Sequence, residues 1–226
     1  MPKPESFSPL EEKEGKREII EEIENIPLPP DQKMELFLAF IGEKPVSSLG
    51  ILYESDKARP GEREEFIRKK NQIEQCLKKT GLYFEIEERR EVEATGAERL
   101  KLDFLVAREK KAIDELKEAQ EKQDYVTMGR LFGYPETAVQ AFKKGMETER
   151  MEDFVIVNEK EWFETLPEEE KKPLFQEGVL DFLIFRLSKE HWREELEVLR
   201  KWQRQIQTQA PKLYREIMGR FETKRE

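Results

Sequence analysis

Reaction chemistry in this chain has few residues to draw on. Its 226 residues include one histidine, His191, and one cysteine, Cys76. A nucleophile–histidine–acid relay would have to run through His191, and no Gly-x-Ser-x-Gly elbow supports one. His191 stands beside Trp192 where a long helix begins. The positive end of that helix disfavours an imidazolium, so His191 reads as a neutral surface or packing residue. Cys76 falls on an apolar helical stripe with Phe66, Ile73 and Leu77 and reads as a buried small hydrophobe. One cysteine forbids an intrachain disulfide, and with one histidine it leaves no cluster for zinc or iron. Neither a metal nor a cofactor is expected. A carboxylate set remains: Asp103 on a strand, then Glu109 and Lys111, superficially like the Asp…Glu-x-Lys set of metal-dependent nucleases. Those enzymes hold the Glu and Lys on a strand beside the Asp, whereas Glu109 and Lys111 open a helix here. Neither a P-loop nor a Gly-x-Gly-x-x-Gly turn occurs.

The stretch with the most unusual spacing is GRLFGYPETAVQAF, residues 129–142. As architecture it is a tight helix corner: Gly133 ends one helix in the left-handed conformation, and Pro135 starts the next at its first position. On this reading Ala138, Val139 and Phe142 pack inward and Glu136 and Gln140 stay wet. As a DNA-reading motif it is a helix-turn-helix, with Gly129, Gly133, Val139 and Phe142 at the required small and apolar positions. The second helix would then present Glu136, Thr137, Gln140, Lys143 and Lys144. Base readers favour Arg, Asn and Gln, and Glu136 would repel backbone phosphate. As a ligand site, Arg130 offers a bidentate fork for an anion, and Tyr134 an apolar body with a polar tip. Arg130, Tyr134, Glu136 and Thr137 are the candidate ligand-binding residues. The competing role for Arg130 is a pair with a neighbouring carboxylate.

Gly133-Tyr134-Pro135-Glu136-Thr137-Ala138, with Phe142 after it, resembles the Gly-Tyr-Pro-x-Cys-Cys…Phe segment of a mostly archaeal protein family without an assigned activity. The long helix after Ser188 followed by APKLYREI is similar to the end of that family. Thr137 and Ala138 stand in place of its paired cysteines, so no thiol or metal role carries over. The resemblance implies a shared fold corner and supplies no mechanism.

The elements that must position these residues follow from periodicity. Ile19, Ile20, Ile23 and Ile26 give an acidic segment one apolar stripe, so an amphipathic helix runs until PLPP (27–30). DQKMELFLAFIG reads as a helix capped by Asp31 and ended by Gly42, with a strand as the alternative for so apolar a run. VSSLGILY has strand character, and residues 62–79 form a charged helix ended by Gly81. LYFEIEERREV and RLKLDFLVA alternate around ATGAE, which predicts an antiparallel hairpin with one wet face. Helical spacing follows at Ala112, Leu116 and Ala119, at Tyr125, Met128 and Phe132, and again at Ala138, Val139 and Phe142. FVIV (154–157) and LDFLIF (180–185) read as short buried strands. Trp192, Leu196, Leu199, Trp202 and Ile206 share one face of a long helix, its indoles expected in the core. A last helix starts at Pro211 and bears Leu213, Tyr214, Ile217, Met218 and Phe221.

Aromatics at 10% argue against disorder, and 40% charged residues imply a heavily solvated surface. A net charge of −9 opposes non-specific binding to phosphate backbones. The longest apolar run, LFLAFIG, falls far short of the roughly 20 residues a spanning helix needs, and the acidic N-terminus lacks a signal-peptide core. The expectation is a cytoplasmic α+β protein with no membrane partner. Residues 1–8 are expected to be loose and residues 9–226 to form a single domain. It has a small, mainly antiparallel sheet covered by helices and a helix-rich C-terminal half. The leading functional class is a non-catalytic protein that binds an unknown protein or small-molecule partner. A helix-turn-helix nucleic-acid-binding regulator is the alternative, and an enzyme with a carboxylate or arginine-based site comes third.

Overall fold

The computed structural model describes residues 9–55, 60–92 and 98–223. The N-terminal residues expected to be loose, and most of the ATGAE connection, lie outside them. The architecture is α+β. Two helices, α1 (Pro9–Asn25) and α2 (Pro30–Ile41), precede strand β1 (Val46–Glu54). Helix α3 (Glu62–Thr80) then leads into β2 (Tyr83–Val92) and β3 (Glu98–Ala107). The three strands form one antiparallel sheet in the order β1-β3-β2, so the expected hairpin is present and β1 pairs with its second strand. Leu49, Phe104 and Ile86 stand opposite one another across the ladder, as do Gly50, Asp103 and Glu87.

That register gives the sheet two different faces. Leu49, Leu102, Phe104 and Val106 join Ile23, Phe37, Ile73 and Leu77 of the first three helices in the main core. Full burial of a side chain such as Phe37 or Phe104 contributes about 2–3 kcal/mol of transfer free energy. The opposite face was expected to be wet, and it is so only in part. Helix α4 (Lys110–Glu121) covers its near end, where Ile113 and Leu116 meet Val46, Leu105 and Ala107. The far end carries Lys101, Arg89 and the exposed Leu52. The apolar run Phe104–Ala107 breaks the alternation of β3, and that end is buried on both sides.

Helix ends explain several departures from the sequence expectations. Asp31 is not the cap of α2: Pro30 takes the first position, Pro29 precedes it, and Asp31 sits inside the first turn. Gly42 then stops the helix at φ +84°, as expected. The apolar run 154–157 is not a strand. Residues Met151–Phe154 form a single helical turn, α7, and only Val155 bridges to Ser188. Nor is 180–185 a strand: Gly178, at φ +63°, leads into a 3-10 turn over Val179–Phe182. A short apolar run looks the same whether strand or buried turn hides it, because burial alone leaves no period.

After α4 come α5 (Tyr125–Leu131), α6 (Glu136–Thr148), α7, α8 (Glu159–Thr165), α9 (Glu168–Glu177), α10 (Trp192–Gln209), α11 (Pro211–Ile217) and α12 (Arg220–Thr223). The expected last helix is therefore interrupted at Met218–Gly219, with Gly219 at φ +86°. Asp181 makes the break by accepting the backbone N–H groups of Gly219 (2.8 Å) and Phe221 (2.5 Å). Trp192 and Trp202 are both buried in the main core.

Candidate functional site

The Gly-Tyr-Pro stretch is a helix corner. Helix α5 starts at Asp124, whose side chain accepts the Thr127 N–H at 3.1 Å. It ends at Leu131, and Gly133, two residues on, has φ +71°. The Tyr134 N–H donates to the Gly129 carbonyl and the Gly133 N–H to the Arg130 carbonyl, each at 3.0 Å. This pair of reversed bonds is the Schellman arrangement that satisfies terminal carbonyls, and it needs the left-handed residue between them. Pro135 is not the first residue of α6, as expected, but the one before it, with ψ 139° turning the chain into the helix. Close approach at Gly129 lets the two helices touch: a Cβ there would lie 2.8 Å from a Val139 methyl.

Between α5, α6 and residues 184–186 this corner borders a half-open cavity of about 310 Å³. That volume falls at the lower end of the ~300–1,000 Å³ usual for small-molecule sites. Tyr125, Met128 and Phe132 form one wall, Val139 and Phe142 another, and Ile184 and Phe185 a third. The rings are in mutual contact. Tyr125 and Phe142 meet edge-on at 6.0 Å, Phe132 and Tyr134 lie 5.8 Å apart, and Tyr134 and Phe185 5.4 Å apart. Tyr125 is 40% exposed, so this wall borders solvent. Arg186 is the one charged residue in the lining.

Behind two of those rings lies a buried ion pair. The Lys44 side chain is 0% exposed, and its ammonium bonds the carboxylate of Glu35, itself only 14% exposed. The ammonium lies over Tyr134 (5.2 Å), Trp202 (5.8 Å) and Phe132 (6.0 Å), three rings that can each face a cation. Its placement is local in origin. Gly42 reverses the chain at the end of α2, the Glu43 and Lys44 N–H groups bond the Leu38 carbonyl, and Lys44 turns back toward Glu35. Burial pulls the Lys44 pKa below the usual lysine range, against the opposing pull of Glu35. Burial, and then the Glu35 charge, raise the Tyr134 phenol well above its usual range, so it stays protonated at neutral pH. Lys44 was not among the residues singled out from the sequence. "GEKP" carries no signal of burial, because the rings that enclose the lysine come from residues far along the chain.

The four sequence candidates do not form one site. Tyr134 lines the cavity. Arg130 holds Glu136 through two bonds of 2.9 and 2.6 Å, the carboxylate pairing weighed above. Glu136 also accepts from Gln140 at 2.7 Å. Arg130 first and Gln140 second draw its carboxyl down to about 2. Arg130 is therefore already matched by a carboxylate, and both partners are half exposed. Thr137 and Glu136 face a separate depression with Lys144, Phe154 and His191. The cations of that helix face are also engaged: Lys143 with Glu147 at 3.7 Å, and Lys144 over the Phe154 ring at 4.8 Å.

The other reactive types have structural surroundings. His191 immediately precedes α10, with its backbone N–H bonded to Ser188 Oγ and its imidazole exposed near Glu194 and Glu190. The buried Glu195 carboxylate accepts the Ser188 N–H at 2.7 Å, completing that helix start. Burial and Glu22 push the Cys76 thiol up to about 12, so it is a poor nucleophile at neutral pH. Asp103 is buried in β3 and paired with Lys101 at 2.9 Å. Glu109 precedes α4, and Lys111 pairs with Glu115 on an exposed turn, so the nuclease-like set does not assemble. Among the described residues, no group of three or more His, Cys, Asp or Glu gathers to hold a metal ion. None of the described helices is long and apolar enough to cross a membrane.

Compared with protein-family models, curated proteins and solved structures, the chain matches none. The resemblance at Gly133–Phe142 therefore rests on its residues alone, and the reading of function rests on the site.

Proposed function

We propose that this is a binding protein without catalytic activity, and that its ligand places an apolar body in the cavity beside the α5–α6 corner. One observation carries the reading: a 310 Å³ cavity walled by mutually packed aromatic and aliphatic side chains. Tyr134, the sequence candidate that reaches it, contributes a ring, and its phenol is held in the neutral form. Apolar surface withdrawn from water supplies about 25 cal/mol per Å². The aromatic walls are mutually packed, so little ordering opposes that gain. The helix-turn-helix reading draws less support, because Glu136 opens α6 and Lys143 has Glu147 one turn along.

The test uses an uncharged probe, n-decanol, titrated into the full chain and followed by calorimetry and by the melting temperature. Binding should appear as saturable heat and a rise in melting temperature. Ile184→Trp, which fills the cavity from one wall, should remove both while the circular dichroism spectrum stays unchanged. Tyr125→Ala, a change at an exposed wall, should weaken binding without lowering stability. Equal binding by wild type and Ile184→Trp would refute the cavity as the site.

A further inference from the structure

We infer that the ligand of this cavity is an amphipathic anion, a small carboxylic acid whose apolar tail lies among the rings and whose head meets Arg186. The inference rests on the cavity being the binding site and adds the chemistry of the head group.

Arg186 is the single charged side chain in an otherwise apolar lining. One nitrogen of its guanidinium donates to the Val157 carbonyl at 2.9 Å, which orients the group. Its backbone is held as well: the next residue, Leu187, accepts the Ile156 N–H at 2.8 Å. No carboxylate pairs with Arg186 among the described residues. Arg108 is anchored in the same way, to the Phe40 carbonyl, but it does not line the cavity. Arg130 is closed by Glu136, Arg193 by Glu170, and Arg200 by Glu177 and Glu197. What sets Arg186 apart is the combination: an anchored guanidinium without a carboxylate partner, on a residue that lines an apolar cavity. The guanidinium retains N–H donors in a planar fork, a shape that matches a carboxylate.

The opposite polarity is disfavoured by the same lining. A cationic head would sit against Arg186 with no acidic side chain in the wall to receive it. The buried cation behind the rings, Lys44, is already matched by Glu35 and adds no unpaired charge of either sign.

Three probes of one chain length separate the head-group inference from the cavity reading: decanoate, decanol and decylamine, each below its micelle concentration. Calorimetry on the full wild-type chain should show decanoate binding at least about fivefold tighter than decanol, with decylamine weakest. Added salt should shrink the margin, because the arginine is at the surface. Arg186→Gln should remove the preference, bringing decanoate affinity down to that of decanol. Arg186→Lys, which keeps the charge but not the fork, should fall between them. Equal affinity for decanoate and decanol in the wild type, or an unchanged preference in Arg186→Gln, would overturn the head-group inference and leave the cavity reading intact. If none of the three binds, both fail.

Discussion

Replacing Glu35 by glutamine should cost more stability than removing the lysine it pairs with. The asymmetry comes from burial: the Lys44 side chain is 0% exposed, whereas that of Glu35 is 14% exposed. In Glu35→Gln the ammonium loses its counter-charge and keeps three rings at 5.2–6.0 Å. Ring faces return about 0.5–2 kcal/mol, less than the several kcal/mol that desolvating an ion costs. Breaking a buried pair on the side that strands the deeper charge should therefore cost about 3 kcal/mol. In Lys44→Met the carboxylate left behind still reaches water, and the thioether packs among the rings, so about 1–2 kcal/mol is expected. The double variant should resemble Lys44→Met to within about 0.5 kcal/mol, because no stranded charge remains. Urea unfolding at pH 7, followed by both circular dichroism and tryptophan fluorescence, measures all three. The pH dependence carries a sign. Burial lowers the Lys44 pKa from 10.5, so between its native value and 10.5 the unfolded chain binds more protons than the native one. Stability contributed by this group is then present above 10.5 and lost as pH falls through the native pKa. Removing Glu35 removes both influences that raise that pKa and extends the window downward. The deficit of Glu35→Gln relative to wild type should thus narrow as pH rises toward 10.5. Equal costs for the two single variants, or a Glu35→Gln cost below about 0.5 kcal/mol, would show that water reaches the ammonium and would refute this reasoning.

Two further outcomes are expected. Gly133→Ala should cost about 1–2 kcal/mol from the left-handed backbone alone, plus a contact term, because its Cβ would lie 3.3 Å from the Glu43 carbonyl and Lys44 Cγ. Gly81→Ala, at φ +70° with no atom within 4 Å, should show the backbone cost without the contact, and chemical denaturation of the two separates them. Glu136→Gln tests the exposed pair. The Glu136 carboxyl is drawn from 4.5 to about 2, so the stabilisation is present above 4.5 and lost as pH falls toward 2. The melting-temperature difference from wild type should be small near neutrality and vanish across that window, and a difference unchanged at pH 2 would contradict the assignment.

What the sequence determined by itself is what neighbours along the chain decide. The alternation of 82–86 and 100–106 placed two strands, and the Ile19–Ile26 and Trp192–Ile206 stripes placed two helices, because side-chain direction repeats every two or 3.6 residues. Gly133 could be read as a left-handed stop because the Schellman bonds span only Gly129 to Tyr134. The runs 154–157 and 180–185 escaped that logic. They are too short to show a period, and tertiary partners chose turns for them: Ser188 for Val155, and the Gly219 and Phe221 amides for Asp181. The pairing of Arg130 with Glu136 was local enough to anticipate. Whether Lys44 would be solvated or sealed was not, because Phe132, Tyr134 and Trp202 lie from 88 to 158 residues beyond it. The cavity follows the same rule. Its walls join α5 and α6 to residues 184–186, and Arg186 became its one charge only when those elements closed together. Backbone hydrogen bonding and side-chain period act over a few residues, whereas burial depends on which distant surfaces meet.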